Sequence, residues 1–456
     1  MATVIIIIFI TGYLFIAFEH VSNVNKTAAA LVTGVLCWTL LVFSEPSAAL
    51  IESNLFNTAI QMISIEEGTG FLSLSKADQF KEFVLFELNH HLSAIAQIIL
   101  FLLGAMTIVE LVDAHHGFRF ITDRIRTRDP RALLWIIGLV SFFLSAILDN
   151  LTTSIVMVSL IRKLVHEKER RMVFAGVIII AANAGGAWTP IGDITTTMLW
   201  IGGQISALNI MKSLFLPSLV CLVVPLVYLS FRLKGTLGHG SGTHDTSAVT
   251  GSRRILFIGV GALVSVPVFK TYTHLPPYMG MLLGLGILWI VSELIHPELD
   301  EATKKKFTVA GALSRVDVPS VLFFAGILLA VAALETMLTL QQFAGFLART
   351  LEDDRIIITL IGVLSAVVDN VPLVAASMGM YSLSDYPQDH MIWEYLAYCA
   401  GTGGSMLIIG SAAGVAVMGM EKINFIWYAR RIALVAMSGY LAGAIVYLVL
   451  ESTVPG

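Results

Sequence analysis

Apolar residues run through this chain in long blocks separated by short polar stretches. The blocks fall at roughly 3–18, 27–43, 92–112, 132–161, 172–200, 211–231, 255–270, 278–295, 317–338, 356–382, 392–420 and 432–450. A helix needs about 20 apolar residues to cross a bilayer, so the pattern predicts an all-α integral membrane protein. Two blocks, 132–161 and 356–382, exceed a single crossing and carry the polar pairs Asp149-Asn150 and Asp369-Asn370 near their middles. Two others, 172–200 and 392–420, are interrupted by clusters of glycine. The opening run Met1 to Phe18 has no basic leader and no small-residue cleavage site, so it reads as a first membrane helix, not a removed signal peptide.

Flanking charge orients the blocks, because Lys and Arg mark cytoplasmic loops. Arg119, Arg124, Arg126, Arg128 and Arg131 precede 132–161, and Arg162, Lys163, Lys168, Arg170 and Arg171 follow it. Both ends then lie inside, which predicts a re-entrant hairpin with Asp149-Asn150 near its tip. Block 356–382 has acidic flanks: Glu352, Asp353 and Asp354 before, Asp385, Asp389 and Glu394 after, set against Arg349 and Arg355. It predicts a second hairpin entering from outside. The stretch 44–91 is acidic (Glu45, Glu52, Glu66, Glu67, Asp78, Glu82, Glu87 against Lys76 and Lys81) and reads as external. The stretches 232–254 and 296–315 carry Arg232, Lys234, Arg253, Arg254, Lys304, Lys305, Lys306 and Arg315 and read as internal. Both termini then fall outside.

The chain also repeats itself. Ser145-Ala146-Ile147-Leu148-Asp149-Asn150 returns as Ser365-Ala366-Val367-Val368-Asp369-Asn370, an offset of 220 residues. Leu100–Gly104 resembles Leu322–Gly326, and Gly185-Gly186 with Gly192 matches Gly403-Gly404 with Gly410, at offsets of 222 and 218. Opposite flanks on matched blocks imply inverted-topology repeats with two re-entrant helical hairpins and two broken transmembrane helices. The expected organisation is N-terminal helices and an external loop over 1–91, a first repeat over 92–231, a cytoplasmic linker at 232–254, scaffold helices and a cytoplasmic loop over 255–316, and a second repeat over 317–450.

Composition narrows the function. The chain of 456 residues is 56% hydrophobic and 13% charged, against about 25% charged in a soluble domain. No stretch is long and polar enough for a soluble catalytic domain. No phosphate loop, zinc spacing or nucleic-acid-binding pattern stands in the sequence. The net charge is −4, and where the charges lie says more than their sum. Cys37, Cys221 and Cys399 sit in apolar stretches and read as packing residues. His239 and His244 belong to a Gly/Ser-rich linker and read as solvated, not as metal ligands. His90-His91, His115-His116, Glu110 and Asp113 read as interfacial.

A carboxylate in hydrocarbon is expensive and marks a functional site. Asp149, Asn150, Thr152, Asn183, Asp193, Thr195 and Thr196 supply side-chain oxygens around the Asn183–Thr197 stretch, whose glycines and proline are expected to break the helix and free backbone carbonyls. Such oxygens suit a small hard cation. The matched set in the second half, Ser365, Asp369, Asn370, Thr402 and Ser405, is poorer in carboxylates, and Ser411 stands where Asp193 stands in the first. Two non-identical Na+ sites are expected, one at Asp149, Asn150, Asn183 and Asp193 and one at Asp369, Asn370, Thr402 and Ser405; whether both bind cation stays open. A dehydrated carboxylate also takes up protons, so Na+ and H+ compete for the same oxygens, and that competition suffices for exchange.

The phrases Ser-Ala-Ile-Leu-Asp-Asn-Leu-Thr-Thr from Ser145, Asn183 to Thr197, and Ser-Ala-Val-Val-Asp-Asn-Val-Pro from Ser365 resemble the NhaD-type sodium/proton antiporters of the ion transporter superfamily over nearly the whole chain. The resemblance implies Na+(Li+)/H+ antiport in a bacterial inner membrane or a related organellar one. It also implies a scaffold domain, a transport domain holding both hairpins, a homodimer and elevator-like alternating access. The transported ion is Na+ or Li+, and no cofactor is implied. Site residues of the family fall on Asp149, Asn150, Thr152, Asn183, Asp193, Thr195, Thr196, Ser365, Asp369 and Asn370, with Thr402 and Ser405 a looser match. Dicarboxylate carriers of the superfamily place Ser-Asn-Thr-like phrases at the hairpin tips, where this chain has Asp-Asn.

Two other readings stay in view. A Na+-coupled symporter of a carboxylate anion fits the same architecture but needs a cationic or amide-rich pocket for the anion, and no Arg stands inside the apolar blocks. An intramembrane aspartyl protease needs two carboxylates sharing a proton; the Asn and Gly neighbours of Asp149 and Asp369 look instead like ion ligands.

Overall fold

The computed structural model describes residues 1–17, 19–22, 24–67, 71, 74–118, 127, 129–233, 235, 251–295, 306–351 and 353–453. The expectations placed on Arg119, Arg124, Arg126, Arg128, Lys234, Lys304, Lys305, Glu352, His239 and His244 lie outside these residues. Every regular element among the described residues is helical. The longer helices are α1 (Ala2–Ala17), α2 (Lys26–Val42), α3 (Asn54–Glu67), α4 (Lys76–Ala114), α5 (Pro130–Ser145), α6 (Asn150–Leu164), α7 (Lys168–Ala187), α8 (Ile194–Ile201) and α9 (Ala207–Arg232). They continue as α10 (Ser252–Thr273), α11 (Pro277–Ile295), α12 (Val318–Thr336), α13 (Thr339–Leu351), α14 (Asp354–Leu364), α15 (Asn370–Met380), α16 (Met391–Gly403), α17 (Ala412–Glu421) and α18 (Leu434–Thr453). Among the described residues seven helical runs are long and apolar enough to cross a membrane: α4, α7, α9, α10, α11, α12 and the run Phe425–Thr453 that ends in α18.

Two compact units emerge. The first comprises Met1–Ile99, Asp317–Asp353 and Ala375–Asp385; the second comprises Leu100–Val316, Asp354–Val374 and Tyr386–Gly456. In the first unit α2 packs on α1 and α12. Trp38 Nε1 donates to the Leu329 carbonyl at 2.8 Å and Thr27 Oγ1 to the Pro319 carbonyl at 3.0 Å, pinning α2 to α12. In the second unit α5 and α6 pack on α7, α6 also on α17, α14 on α16, and α9 on α18.

All four irregular blocks resolve into helix, break and helix. Block 132–161 becomes α5 and α6, 356–382 becomes α14 and α15, 172–200 becomes α7 and α8, and 392–420 becomes α16 and α17. Polar N-caps restart the chain after three of the breaks. Asp149 accepts from Thr152 N, Asp193 from Thr195 N and Ser411 from Gly414 N, each satisfying an orphan N–H of its helix. After the fourth, Val371 N donates to Asp369 Oδ1 at 3.3 Å.

Two helical regions escaped the apolar pattern. The stretch read as an external loop over 44–91 holds α3 and the first 16 residues of α4, which is 39 residues long in all. Asp78, Lys81 and Glu82 dilute its hydropathy, while Phe80, Phe83 and Val84 are buried on the other face. Helix α13 is amphipathic in the same way, with Leu340 and Ala344 buried and Gln341, Gln342 and Arg349 exposed. A face buried against protein needs only a stripe of apolar residues, and a search for continuous apolar runs passes over it.

Candidate ion-binding site

The repeated phrases make the same contacts twice within the second unit. Ser145 Oγ donates to the Ala182 carbonyl at 2.6 Å, and Ser365 Oγ donates to the Ala400 carbonyl at 2.8 Å. A Cβ on Gly185 would collide with the Phe142 carbonyl, and one on Gly403 with the Gly362 carbonyl. Gly186 faces the Gly192 carbonyl as Gly404 faces the Gly410 carbonyl. A Cβ on Gly192 would stand 2.6 Å from the Ser145 carbonyl, and one on Gly410 2.6 Å from the Ser365 carbonyl. The breaks fall where the glycine clusters were expected to interrupt the blocks, with Pro190 and Gly192 in the first and Gly404 and Gly410 in the second, while the other glycines serve close approach. Gly185 and Gly186 lie inside α7 and Gly403 inside α16; α7 ends only after Ala187. What Gly185 and Gly403 provide is backbone-to-backbone approach, which lets α7 lie directly on α5 and α16 on α14.

A buried polar chain runs through the site. Asp193 is 2% exposed. Its Oδ1 accepts from Thr195 N at 2.9 Å and Thr195 Oγ1 at 2.7 Å, and its Oδ2 accepts from Asn150 Nδ2 at 2.6 Å. Asn150 Nδ2 also donates to Asn183 Oδ1 at 3.1 Å. Asn183 Nδ2 in turn donates to Ser405 Oγ and Ser411 Oγ, both at 3.0 Å. The two halves of the sequence therefore meet at Asn183. The carboxylates of Asp149 and Asp369 both lie within electrostatic reach of Asp193. The centre combines carboxylate, amide and hydroxyl oxygens, the ligand chemistry of hard cations.

The remaining candidates lie less centrally. Asp149 and Asp369 are half-buried, at equivalent positions. Asp149 is engaged with its own helix, accepting from Thr152 N at 2.7 Å and Thr152 Oγ1 at 2.6 Å. Thr196 Oγ1 donates back to the Asp193 carbonyl at 2.9 Å, and Thr402 Oγ1 to the Tyr398 carbonyl at 2.6 Å. Ser405 is joined to Asn183 of the first half, and its own carbonyl accepts from Tyr428 OH at 2.8 Å. Asn370 is buried, 5% exposed.

Three hydroxyls were absent from the expected site. Ser411 bonds Asn183 directly, and its signal was its place opposite Asp193 in the repeat. Thr153 and Ser154 are fully buried at the start of α6, and among the described residues neither hydroxyl has a hydrogen-bond partner. Their signal was the Thr-Thr-Ser run directly after Asp149-Asn150.

Long apolar helices interrupted at buried carboxylate, amide and hydroxyl groups are the build of a multi-pass membrane transporter, and broken helices of this kind place the binding groups at membrane depth. Comparison with known proteins specifies the kind. The chain belongs to the CitMHS family, whose model is described as citrate transporter and matches residues 13–393. It is a family of transporters, not of enzymes, and within it the chain is of the NhaD antiporter type. It is 48% identical to Sodium/proton antiporter 1 of Arabidopsis thaliana, over 98% of this chain and 72% of that one. It is 45% identical to Sodium/proton antiporter 2 of the same plant, over 98% and 99%. To the Na(+)/H(+) antiporter NhaD of Vibrio cholerae it is 29% identical, over 98% and 91%.

Proposed function

We propose that this protein is a secondary active Na+(Li+)/H+ antiporter, in which cation and proton compete for intramembrane carboxylates. The observation that carries the reading is Asp193, buried and hydrogen-bonded through Asn150 to Asn183. With Asp193 ionised, its Oδ2 and the amide oxygens of Asn150 and Asn183 offer a dehydrated Na+ a set of oxygen ligands, and Asp149 and Asp369 add negative field. With Asp193 protonated, that charge is gone and the cation leaves. One site with two mutually exclusive ligands, presented alternately to each side, exchanges them without a separate proton wire.

The finer parts of the reading belong to the same proposal. The doubled contacts of Ser145 and Ser365 and the opposite flanking charges support inverted repeats with re-entrant hairpins. Movement of the site-bearing body gives elevator-type alternating access, and the working form is a homodimer. Asp369, Asn370, Thr402 and Ser405 form the second, weaker site. The membrane is one that carries an ion gradient, a bacterial inner membrane or an organellar one, and the plant relatives give weight to the second.

The family description favours one other reading, Na+-coupled uptake of citrate. A carboxylate anion is bound by cationic or multiple N–H donors. The centre described here presents Asp193, Asp149 and Asp369 to its ligand instead. Both readings are decided by purified protein in proteoliposomes with an entrapped fluorescent pH probe. NaCl or LiCl added outside drives proton movement if the protein is an antiporter. Sodium-dependent accumulation of labelled citrate, with no proton movement on adding Na+ or Li+, establishes the symporter in its place.

A further inference from the structure

Two buried glutamates of the second unit lie outside the ion site, and their surroundings differ in kind. Glu421, at the C-terminal end of α17, meets Arg162 Nε at Oε1 and Arg171 Nε at Oε2, both at 2.6 Å. Guanidinium groups only donate, so this environment fits the carboxylate and nothing else. Glu394, in the first turn of α16, is 6% exposed and is held by neutral groups. Its Oε1 accepts from Asn209 Nδ2 and from Ser213 Oγ at 3.0 Å, both on α9, and its Oε2 from Tyr447 OH at 2.9 Å, on α18.

Each of these partners can reverse its role. A serine hydroxyl donates or accepts, and an amide turned about its last bond presents Oδ1 in place of Nδ2. Tyr447 has an alternative acceptor, the Met391 carbonyl at 3.2 Å. The ionised carboxylate takes three donors. A protonated Glu394 gives its Oε2–H to the Tyr447 hydroxyl, whose own proton turns to the Met391 carbonyl, while Asn209 Nδ2 and Ser213 Oγ still donate to Oε1. Neither state strands a buried polar group, which is the usual cost of titrating one.

The surrounding charges leave both states open. On the approach to α16, Asp389 accepts from Ser206 N at 2.6 Å and is the charged group whose field reaches Glu394. His390 caps α16 through its Nδ1. Tyr395 stacks on Tyr447 at 5.2 Å, with its hydroxyl against Thr359 at 2.7 Å. Further along α18, Glu451 is paired with Arg355 of α14 at 3.2 Å, and Lys212 of α9 is exposed. Pro387 and Gln388, just before this corner, are exposed. From Glu394, α16 runs to the break whose Ser405 bonds Asn183.

We propose that Glu394 is a second proton-binding site of this transporter, exchanging protons with water at the 387–388 corner and separate from Asp193. The proposal rests on the antiport reading for its role in transport, while the protonation itself is measurable without transport. Infrared difference spectra of the native protein in liposomes, recorded across pH without Na+, will contain a carboxylic C=O band that E394Q lacks and E421Q retains. Y447F and S213A keep the carboxyl but remove a donor, and each will move the midpoint of that band toward alkaline pH. In proton-flux assays E394Q will flatten the pH dependence of the apparent Km for Na+. Identical titrating bands in native and E394Q protein overturn the proposal, as does an unmoved midpoint in both Y447F and S213A. If native liposomes exchange no cation yet the band vanishes in E394Q, the antiport reading fails and the proton site stands.

Discussion

Asp193 caps α8 and, in the proposed mechanism, also supplies the buried charge that holds the cation. The jobs separate by substitution, because Asn caps a helix about as well as Asp. Asp193→Asn is expected to keep the cap and the fold, to lower the melting temperature only by the loss of one buried hydrogen bond from Asn150, about 1–3 kcal/mol, and to reduce Na+-driven proton flux at least about tenfold, equivalent to about 1.4 kcal/mol. Asp193→Ala is expected to lose the flux and, in addition, about 1 kcal/mol of stability with the cap. Flux surviving in Asp193→Asn would move the essential charge to Asp149 or Asp369. At this scale the carboxylates were legible from sequence because an acidic residue in an apolar block is conspicuous. The link from Asn183 to Ser405 and Ser411 was not, since it joins side chains more than 200 residues apart in the chain.

Helix contacts set by backbone approach are the next scale. Gly185 and Gly403 place α7 and α16 against the carbonyls of Phe142 and Gly362 with no room for a Cβ. Gly185→Ala and Gly403→Ala are each expected to destabilise by about 1–3 kcal/mol, the cost of overpacking a filled interior. Gly261 and Gly286, in α10 and α11, have nothing within 4 Å of an added Cβ. Alanine there is expected to be neutral or stabilising by up to about 1 kcal/mol, from helix propensity alone. Thermal melts of the four variants in one detergent check the contrast. The Glu421 clasp belongs to this scale as well. It ties α6 and α7 to α17, and Arg171 is the more buried of its two arginines, at 21% side-chain exposure against 45% for Arg162. Arg171→Ala is therefore expected to lower the melting temperature more than Arg162→Ala. The glycine pairs were visible in the sequence, but their purpose was not: a glycine that breaks a helix and a glycine that admits a neighbouring carbonyl are the same letter.

For the whole molecule the open question is the path of the chain through the bilayer. If the α5–α6 pair is re-entrant, single cysteines at Asp129 and His166 will both react with an impermeant maleimide from the cytoplasmic side. Cysteines at Asp353 and Asp385 will both react from the opposite side. The native Cys37, Cys221 and Cys399 are buried and leave the background low. Reaction of Asp129→Cys and His166→Cys from opposite sides would make that block a plain crossing and remove the inverted repeat. By itself the sequence determined that this is a helical membrane protein, where its blocks break, which carboxylates lie within them, and that its two halves repeat. These follow from local costs: hydrocarbon tolerates neither open backbone nor idle charge, so each exception shows in the pattern. Only the tertiary structure decided that the two Ser-Ala-x-x-Asp-Asn phrases and their glycine pairs converge in one compact unit, that Asn183 links the two halves, and that two buried glutamates face opposite chemistries, Glu421 against guanidinium and Glu394 against neutral hydroxyl and amide groups. Those outcomes depend on which side chains meet across long separations, and no periodicity along the chain encodes that.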